Sequence, residues 1–191
     1  MNKNNIPNII TISRFAFIPL IVFALIMDMY LLAFIFLTLS ALTDVLDGFI
    51  ARKFNMITDF GKLMDPLADK CTQLAILITL ALKQTPSGNT VIPIWILFII
   101  ILKEGLMIAG ASFLYGKDLV VSSKWYGKAT TVIFYVAIVS SIVIAYFNIA
   151  FRFDTYLYYL GLIMTIVSLV LYFKSFYANG YLENFKNKQT K

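Results

Sequence analysis

Six runs of apolar residues, each about the length of a membrane-spanning helix, follow one another along the chain. A helix needs about 20 mostly apolar residues to cross the hydrocarbon core of a bilayer. The runs cover residues 12–27, 29–51, 63–82, 91–115, 124–147 and 155–176. They predict an all-α integral membrane protein with six transmembrane helices. Asn5, Ile6 and Pro7 are typical of a helix start, which also favours a short N-terminal interfacial helix before the first run.

The composition agrees with a membrane location. Hydrophobic residues make up 60% of the chain and charged residues 14%, whereas soluble domains contain about 45–50% apolar and about 25% charged residues. A soluble protein of this size has too little interior for so many apolar side chains, so the surplus must face lipid. The links between runs are too short for a second domain, and residues 1–191 are predicted to form one membrane domain.

The basic residues indicate both a partner and an orientation. The net charge is +6, and the lysines and arginines lie between apolar runs, which favours anionic lipid headgroups over nucleic acid as the partner. One set of links holds only Lys83 and Arg152, while the other set is rich in basic residues. The richer set is expected to be cytoplasmic. We therefore predict a multi-pass protein of the cell membrane with both termini in the cytoplasm.

Four aspartates lie within, or at the ends of, the second and third apolar runs. Asp44 and Asp47 are three residues apart, and Asp65 and Asp69 are four apart. Each pair therefore lies on one helical face, and the short link between the two runs lets these faces meet. Ionised carboxylates at this depth are expensive unless a cation or a water-filled cavity accompanies them. The spacing predicts one acidic site on the cytoplasmic side.

Divalent cations are the expected partners of these carboxylates. The chain has no histidine, and all-oxygen ligands favour Mg²⁺ or Mn²⁺ over zinc. Two such ions would roughly balance four carboxylates and would suit phosphoryl transfer. Gly48 and Gly61 would let a ligand approach the helix backbones, and Arg52 offers a guanidinium to a diphosphate. A cation transporter is the rival class, but here the acids are confined to two neighbouring runs, whereas transporters often repeat such features in both halves.

The same residues fit the signature D-x-x-D-G-x-x-A-R-x8-G-x-x-x-D-x-x-x-D with every spacing kept. Through this signature the chain resembles the CDP-alcohol phosphatidyltransferase family. Its opening, with Asn5, Pro7, Thr11 and Arg14, is similar to that of bacterial phosphatidylglycerophosphate synthases and the related cardiolipin synthases. The resemblance implies a homodimer that transfers a phosphatidyl group from CDP-diacylglycerol to an alcohol acceptor and releases CMP.

The resemblance also implies a role for each matched residue. Asp44, Asp47, Asp65 and Asp69 would bind the two metal ions, and Asp69 would also act as the general base. The residues that would contact the CDP-lipid are Pro7, Asn8, Asp44, Gly48, Ala51, Arg52, Thr58 and Gly61.

The acceptor is the least constrained part of the prediction. Relatives that use glycerol 3-phosphate usually have an Arg-Glu pair on the fourth span and a G-K-x-K-T run before the fifth. Here the pair is Lys103-Glu104, and the run contains Lys128 but has Thr130 at the second lysine position. Arg14, Lys103 and Lys128 are predicted to bind the acceptor, with glycerol 3-phosphate favoured. The missing lysine leaves phosphatidylglycerol, and hence cardiolipin synthesis, as the alternative; serine and inositol phosphate are less favoured. A non-catalytic family member is disfavoured because all four aspartates are intact.

Overall fold

A computed structural model describes residues 6–53, 59–83, 90–114 and 125–189 of the chain. Within those ranges the structure consists of helices and short connecting turns, with no β-strand. The helices are α1 (Ile6–Ile26), α2 (Tyr30–Lys53), α3 (Asp59–Leu82), α4 (Ile94–Leu114), α5 (Trp125–Phe147) and α6 (Asp154–Gln189). The predicted all-α class is confirmed for these residues.

Two helix boundaries differ from the sequence prediction. Helix α1 runs unbroken from Ile6, so the described chain has no separate interfacial helix before the first span. Pro7 falls in its first turn, where a missing N–H costs little. Helix α6 continues to Gln189, well beyond the apolar run that ends at residue 176. Residues 85–89, whose Thr-Pro-Ser-Gly-Asn sequence predicts a turn, lie outside the described residues.

Helix α3 packs against three other helices, α1, α4 and α5. Helix α5 in turn packs against α2 and α6. The contacts are made by a continuous apolar core whose largest fully buried aliphatic members are Ile21, Leu25, Ile76, Leu77, Ile92, Ile96, Ile138 and Ile142. Because α3 also carries Asp65 and Asp69, this packing fixes both carboxylates relative to the other helices.

At the end of the bundle opposite the aspartates, the end of α3 is tied to the end of α1. Helix α1 closes with a Schellman motif, in which Asp28 has a φ of 59° and the N–H of Met29 donates to the carbonyl of Ala24 at 2.8 Å. Lys83 follows α3, donates to the carbonyl oxygen of Leu25 and forms an ion pair with Asp28 at 2.7 Å. The hydrogen bond from Lys83, together with one from the Tyr30 hydroxyl, holds the pKa of Asp28 below its usual value.

A second polar network at this end joins α5 to α6. The carboxylate of Asp154 is fully buried and accepts hydrogen bonds from Arg152 Nε at 3.0 Å, Arg152 Nη2 at 2.6 Å and Ser141 Oγ at 2.6 Å. The hydrogen bond with Asp154 raises the pKa of Arg152. The Tyr158 hydroxyl lies 2.9 Å from Ser141 Oγ and completes the network. Every member therefore has a polar partner, as buried polar groups require.

The outer surface of the bundle is strongly apolar. Large side chains such as Phe98, Trp125, Phe147 and Ile163 are more than half exposed, whereas soluble monomers rarely expose large contiguous apolar patches. Among the described residues, two segments are long and apolar enough to cross a membrane, Trp125–Phe147 and Asp154–Leu171. Two shorter apolar helical segments, Ser13–Ile26 and Tyr30–Leu46, belong to α1 and α2.

Candidate active site

One arginine joins two of the predicted aspartates. Arg14 on α1 is almost fully buried, and its Nη1 lies 2.6 Å from Oδ1 of Asp44 on α2. Its Nη2 lies 2.9 Å from Oδ1 of Asp65 on α3. A single guanidinium thus contacts both carboxylates, so the predicted convergence of the second and third spans is confirmed for this pair. Arg14 was predicted to bind the acceptor because it lies near the cytoplasmic end of the first apolar run, but in the structure it contacts two predicted metal ligands.

Asp69 has a different partner. It lies one turn beyond Asp65 on α3, and the hydroxyl of Tyr135 on α5 donates a hydrogen bond to its Oδ1 at 2.8 Å. The same hydroxyl lies 3.5 Å from the backbone oxygen of Asp69. The carboxylate predicted to act as the general base is therefore held by a side chain from α5.

Next to Asp69, one glutamate is shared by two lysines. Lys70 on α3 and Lys103 on α4 each place Nζ 2.8 Å from Oε1 of Glu104. Lys103 is buried, whereas the Lys70 side chain is 35% exposed, so two positive charges face one negative charge in a partly buried arrangement. Its surplus of positive charge suits an anionic ligand.

A polar pocket adjoins these lysines. Its walls come from α3, α4, α5 and α6, and the lining residues are Lys70, Gln73, Leu74, Ile100, Lys103, Glu104, Thr130, Thr131, Phe134 and Thr165. Gln73, Thr130 and Thr165 are buried. The hydroxyls of Thr130 and Thr165 donate to the carbonyls of the preceding helical turns. The pocket thus combines cationic and hydrogen-bonding groups with one aromatic wall, Phe134.

The remaining predicted site residues are only partly described. The structure describes the helical backbone but not the side chains of Pro7 and Asn8 on α1 and of Asp47, Ala51 and Arg52 on α2. Gly61 lies on α3, and its surroundings are likewise outside the described part of the structure. Gly48 lies on α2, one turn beyond Asp44, and Thr58 lies outside the described residues. Lys128 is exposed near the start of α5 and does not line the pocket.

The described donors fit a hard divalent ion in chemistry but do not form a complete site. Among the side chains that the structure describes, no group of three or more Asp, Glu, Cys or His residues could hold a metal ion. Asp44 and Asp65, which converge on one guanidinium, offer only oxygen atoms, as Mg²⁺ and Mn²⁺ prefer. The fourth predicted ligand, Asp47, belongs to the undescribed side chains. The metal centre therefore stays a prediction.

Tyr135, Lys70 and Gln73 were not identified from the sequence. A signal for Tyr135 was available, because tyrosines of membrane proteins concentrate at the two interfaces, whereas Tyr135 lies in the middle of the 23-residue α5. A buried tyrosine hydroxyl usually finds a hydrogen-bond partner. Lys70 and Gln73 lie one and four residues beyond Asp69 on α3, and only the position of α4 shows their relation to Glu104 and the pocket.

Known proteins give an independent line of evidence. Residues 4–171 match the model of the CDP-alcohol phosphatidyltransferase family. A CDP-diacylglycerol–glycerol-3-phosphate 3-phosphatidyltransferase of Aquifex aeolicus is 31% identical over 167 residues, which cover 87% of this chain and 89% of the relative. The protein of that name from Bacillus subtilis is 32% identical over 142 residues, covering 66% of this chain and 70% of the relative.

A third relative has a different name. A cardiolipin synthase (CMP-forming)/mitochondrial hydrolase fusion protein of Schizosaccharomyces pombe is 35% identical over 118 residues, covering 62% of this chain and 19% of the relative. The family model spans most of the chain, including Arg14, the aspartates and the polar pocket. The chain therefore belongs to the CDP-alcohol phosphatidyltransferase family and is a transferase enzyme.

Proposed function

We propose that the protein transfers the phosphatidyl group of CDP-diacylglycerol to glycerol 3-phosphate, producing phosphatidylglycerophosphate and CMP. The observation that carries the proposal is the position of Asp69 on α3. One turn before Asp69 lies Asp65, which shares Arg14 with Asp44. Directly after Asp69 comes Lys70, which lines the polar pocket. A base between an acidic site and a polar pocket with two lysines suits a reaction that moves the phosphatidyl group of a metal-bound diphosphate to an anionic alcohol.

The reaction would proceed by a single displacement. Asp69 takes the proton from the acceptor hydroxyl, and the hydroxyl oxygen attacks the phosphorus that carries the diacylglycerol. The bond from this phosphorus to the bridging oxygen breaks, and CMP leaves with that oxygen. Two Mg²⁺ or Mn²⁺ ions, when bound, would supply positive charge to the diphosphate and the transition state. The proposed ligands of these ions are Asp44, Asp47, Asp65 and Asp69. The proposed contacts of the CDP-lipid are Pro7, Asn8, Asp44, Gly48, Ala51, Arg52, Thr58 and Gly61.

The charges of the side chains around the pocket support glycerol 3-phosphate as the acceptor. A phosphate dianion needs cations in a partly dehydrated site, where charge-assisted hydrogen bonds are strong. Lys70 and Lys103 provide two ammonium groups, and Gln73, Thr130 and Thr131 add polar groups to the same pocket. The names of the Aquifex aeolicus and Bacillus subtilis relatives specify the same acceptor.

Cardiolipin synthesis, with phosphatidylglycerol as the acceptor, is the second candidate. Thr130 stands where many glycerol-3-phosphate enzymes carry a lysine, and it lines the pocket without adding positive charge. The Schizosaccharomyces pombe relative carries the name of a cardiolipin synthase. Phosphatidylglycerol has one negative charge rather than two, so it would need fewer cations.

We further propose that the six helices span the cell membrane, that both termini and the active site face the cytoplasm, and that the enzyme is a homodimer. The apolar outer surface of the bundle supports a lipid environment. Orientation is supported by the scarcity of basic residues at the end that holds Lys83 and Arg152.

The experiment that tests the function is CMP release by the purified enzyme. CDP-diacylglycerol, Mg²⁺ and one acceptor are mixed, and glycerol 3-phosphate, phosphatidylglycerol, serine and inositol phosphate are compared. Fast release with glycerol 3-phosphate and slow release with the others is expected. Faster release with phosphatidylglycerol would replace the first candidate by the second, and no release with any acceptor would remove the proposed activity.

A further inference from the structure

Tyr135 contributes the only described side-chain hydrogen bond to Asp69, and it comes from a helix that carries none of the predicted catalytic residues. Asp69 lies on α3 and Tyr135 on α5, 66 residues further along the chain. Tyr135 is not part of the aspartate motif. The contact therefore links the proposed base on α3 to α5, the helix that also contributes to the polar pocket.

A general base must be within about 2.6–3.2 Å of the proton that it removes. An aspartate side chain rotates about two bonds, and a misplacement of about 1 Å can cost roughly a hundredfold in rate. The Tyr135 hydroxyl engages Oδ1 of Asp69 at 2.8 Å, which restricts this rotation. One carboxylate oxygen of Asp69 is thus held by the protein.

The position of Tyr135 on α5 connects it to the acceptor pocket. Thr131 lies one turn before it on the same face of the helix, and its neighbour Phe134 is buried; both Thr131 and Phe134 line the pocket. The helix wall that would hold the acceptor thus also carries the group that holds the base.

We propose that Tyr135 is a positioning residue, which orients the Asp69 carboxylate toward the acceptor hydroxyl. This inference rests on the proposed role of Asp69 as the base. Tyr135 itself exchanges no proton with the substrate and touches neither CDP-diacylglycerol nor the acceptor. Its effect is therefore expected on the chemical step and not on substrate binding.

The test is Tyr135→Phe, which removes only the hydroxyl. With CDP-diacylglycerol and the best acceptor of the wild-type enzyme, kcat should fall roughly ten- to a hundredfold, and both KM values should stay within about threefold. The thermal shift that CDP-diacylglycerol produces in detergent should be unchanged, because CDP-lipid binding does not involve Tyr135. The matched control is Tyr158→Phe, which removes a buried hydroxyl at the other end of the bundle and should leave kcat unchanged.

Double substitution separates this inference from the function on which it rests. If Tyr135 acts through Asp69, adding Tyr135→Phe to Asp69→Asn should cause no further loss of kcat. Two results would overturn the positioning role and leave the proposed base in place. The first is that Tyr135→Phe lowers kcat by the same factor in the wild type and in Asp69→Asn. The second is that Tyr135→Phe keeps a wild-type kcat although Asp69→Asn is inactive. A parallel rise in the KM for CDP-diacylglycerol, with loss of its thermal shift, would also overturn it, because it would indicate a structural role. Near-normal turnover by Asp69→Asn would instead remove the proposed base, and the inference with it.

Discussion

Gly161 on α6 lies against the ring of Phe134 on α5, so closely that a Cβ added at Gly161 would stand 2.8 Å from Cε1 of that ring. Real Cβ atoms essentially never approach so closely. The absence of a side chain at Gly161 therefore sets the distance between α5 and α6. Because Phe134 is a wall of the polar pocket and precedes Tyr135, this close packing also sets the shape of the proposed acceptor site.

Replacing Gly161 by alanine should therefore damage both stability and acceptor binding. Overpacking of a core typically costs about 1–3 kcal/mol, and a displaced Phe134 ring would narrow the pocket. We expect a lower melting temperature in detergent and a higher KM for the acceptor. The control is Gly105→Ala on α4, where a Cβ would meet nothing within 4 Å and the better helix propensity of alanine should be neutral or stabilising. Equal behaviour of the two variants would contradict the packing argument.

The lysines predicted to bind the acceptor should differ in importance. Lys103 is buried and lines the pocket, whereas Lys128 is exposed and does not. Removing a hydrogen bond to a charged group costs about 1.5–3 kcal/mol, so Lys103→Ala should lower kcat/KM for glycerol 3-phosphate about ten- to a hundredfold.

Lys128→Ala should cost about threefold or less, as is usual for exposed charges. The KM for CDP-diacylglycerol should hardly change in either variant. A larger loss for Lys128→Ala than for Lys103→Ala would indicate that the acceptor binds near Lys128 and not at the pocket.

Divalent ions should be required for turnover. The carboxylates of Asp44 and Asp65 both contact Arg14 and offer only oxygen atoms as metal ligands. Phosphoryl transfer at a carboxylate site of this kind depends on bound divalent cations. Excess chelator should abolish CMP release, and Mg²⁺ or Mn²⁺ should restore it. Asp65→Asn should lose this response while keeping a cooperative melting transition. Full activity in excess chelator would exclude the proposed metal centre.

The ion pair between Asp28 and Lys83 should make stability depend on pH. The pKa of Asp28 is lowered in the folded state, first by the Lys83 hydrogen bond and then by Tyr30. Its contribution is therefore fully present above the usual aspartate pKa of about 3.9 and is lost as the pH falls through the lower, folded value. Because Asp28 is largely exposed, the contribution should be about 1 kcal/mol or less.

Asp28→Asn tests this charge without disturbing the turn. Asparagine also adopts the left-handed conformation that residue 28 requires, so the variant changes mainly the charge. It should melt a few degrees lower than the wild type at pH 7, and the difference should shrink below about pH 4. A difference that stays constant down to pH 3 would indicate that the ion pair does not contribute.

The sequence predicted the helices and the acidic site better than the contacts between them. Apolar runs indicate candidate spans because lipid solvates only apolar surface. The spacings of Asp44 with Asp47 and of Asp65 with Asp69 put each pair on one helical face, and the high cost of isolated charges favoured a meeting of the two faces. The continuation of α6 to Gln189 was missed because Glu and Lys are good helix formers although they add no apolar character. Tyr135 and Lys70 were missed because their partners depend on which helices become neighbours, which the local pattern does not contain.

The pairing of Arg14 with Asp44 and Asp65 has a consequence for how the protein is made. In the proposed topology α1 spans the membrane, where an arginine costs up to roughly 2.5–3.5 kcal/mol on insertion, the value for the helix centre; Asp65 lies 51 residues further along the chain than Arg14. At a synthesis rate of about 5–20 residues per second, Asp65 is added to the chain several seconds after Arg14. During this time Arg14 can pair only with Asp44. During biogenesis the first three helices should therefore settle in the bilayer as a cohort, and a ribosome stalled before Asp65 should leave α1 easier to extract from the membrane than one stalled after α3.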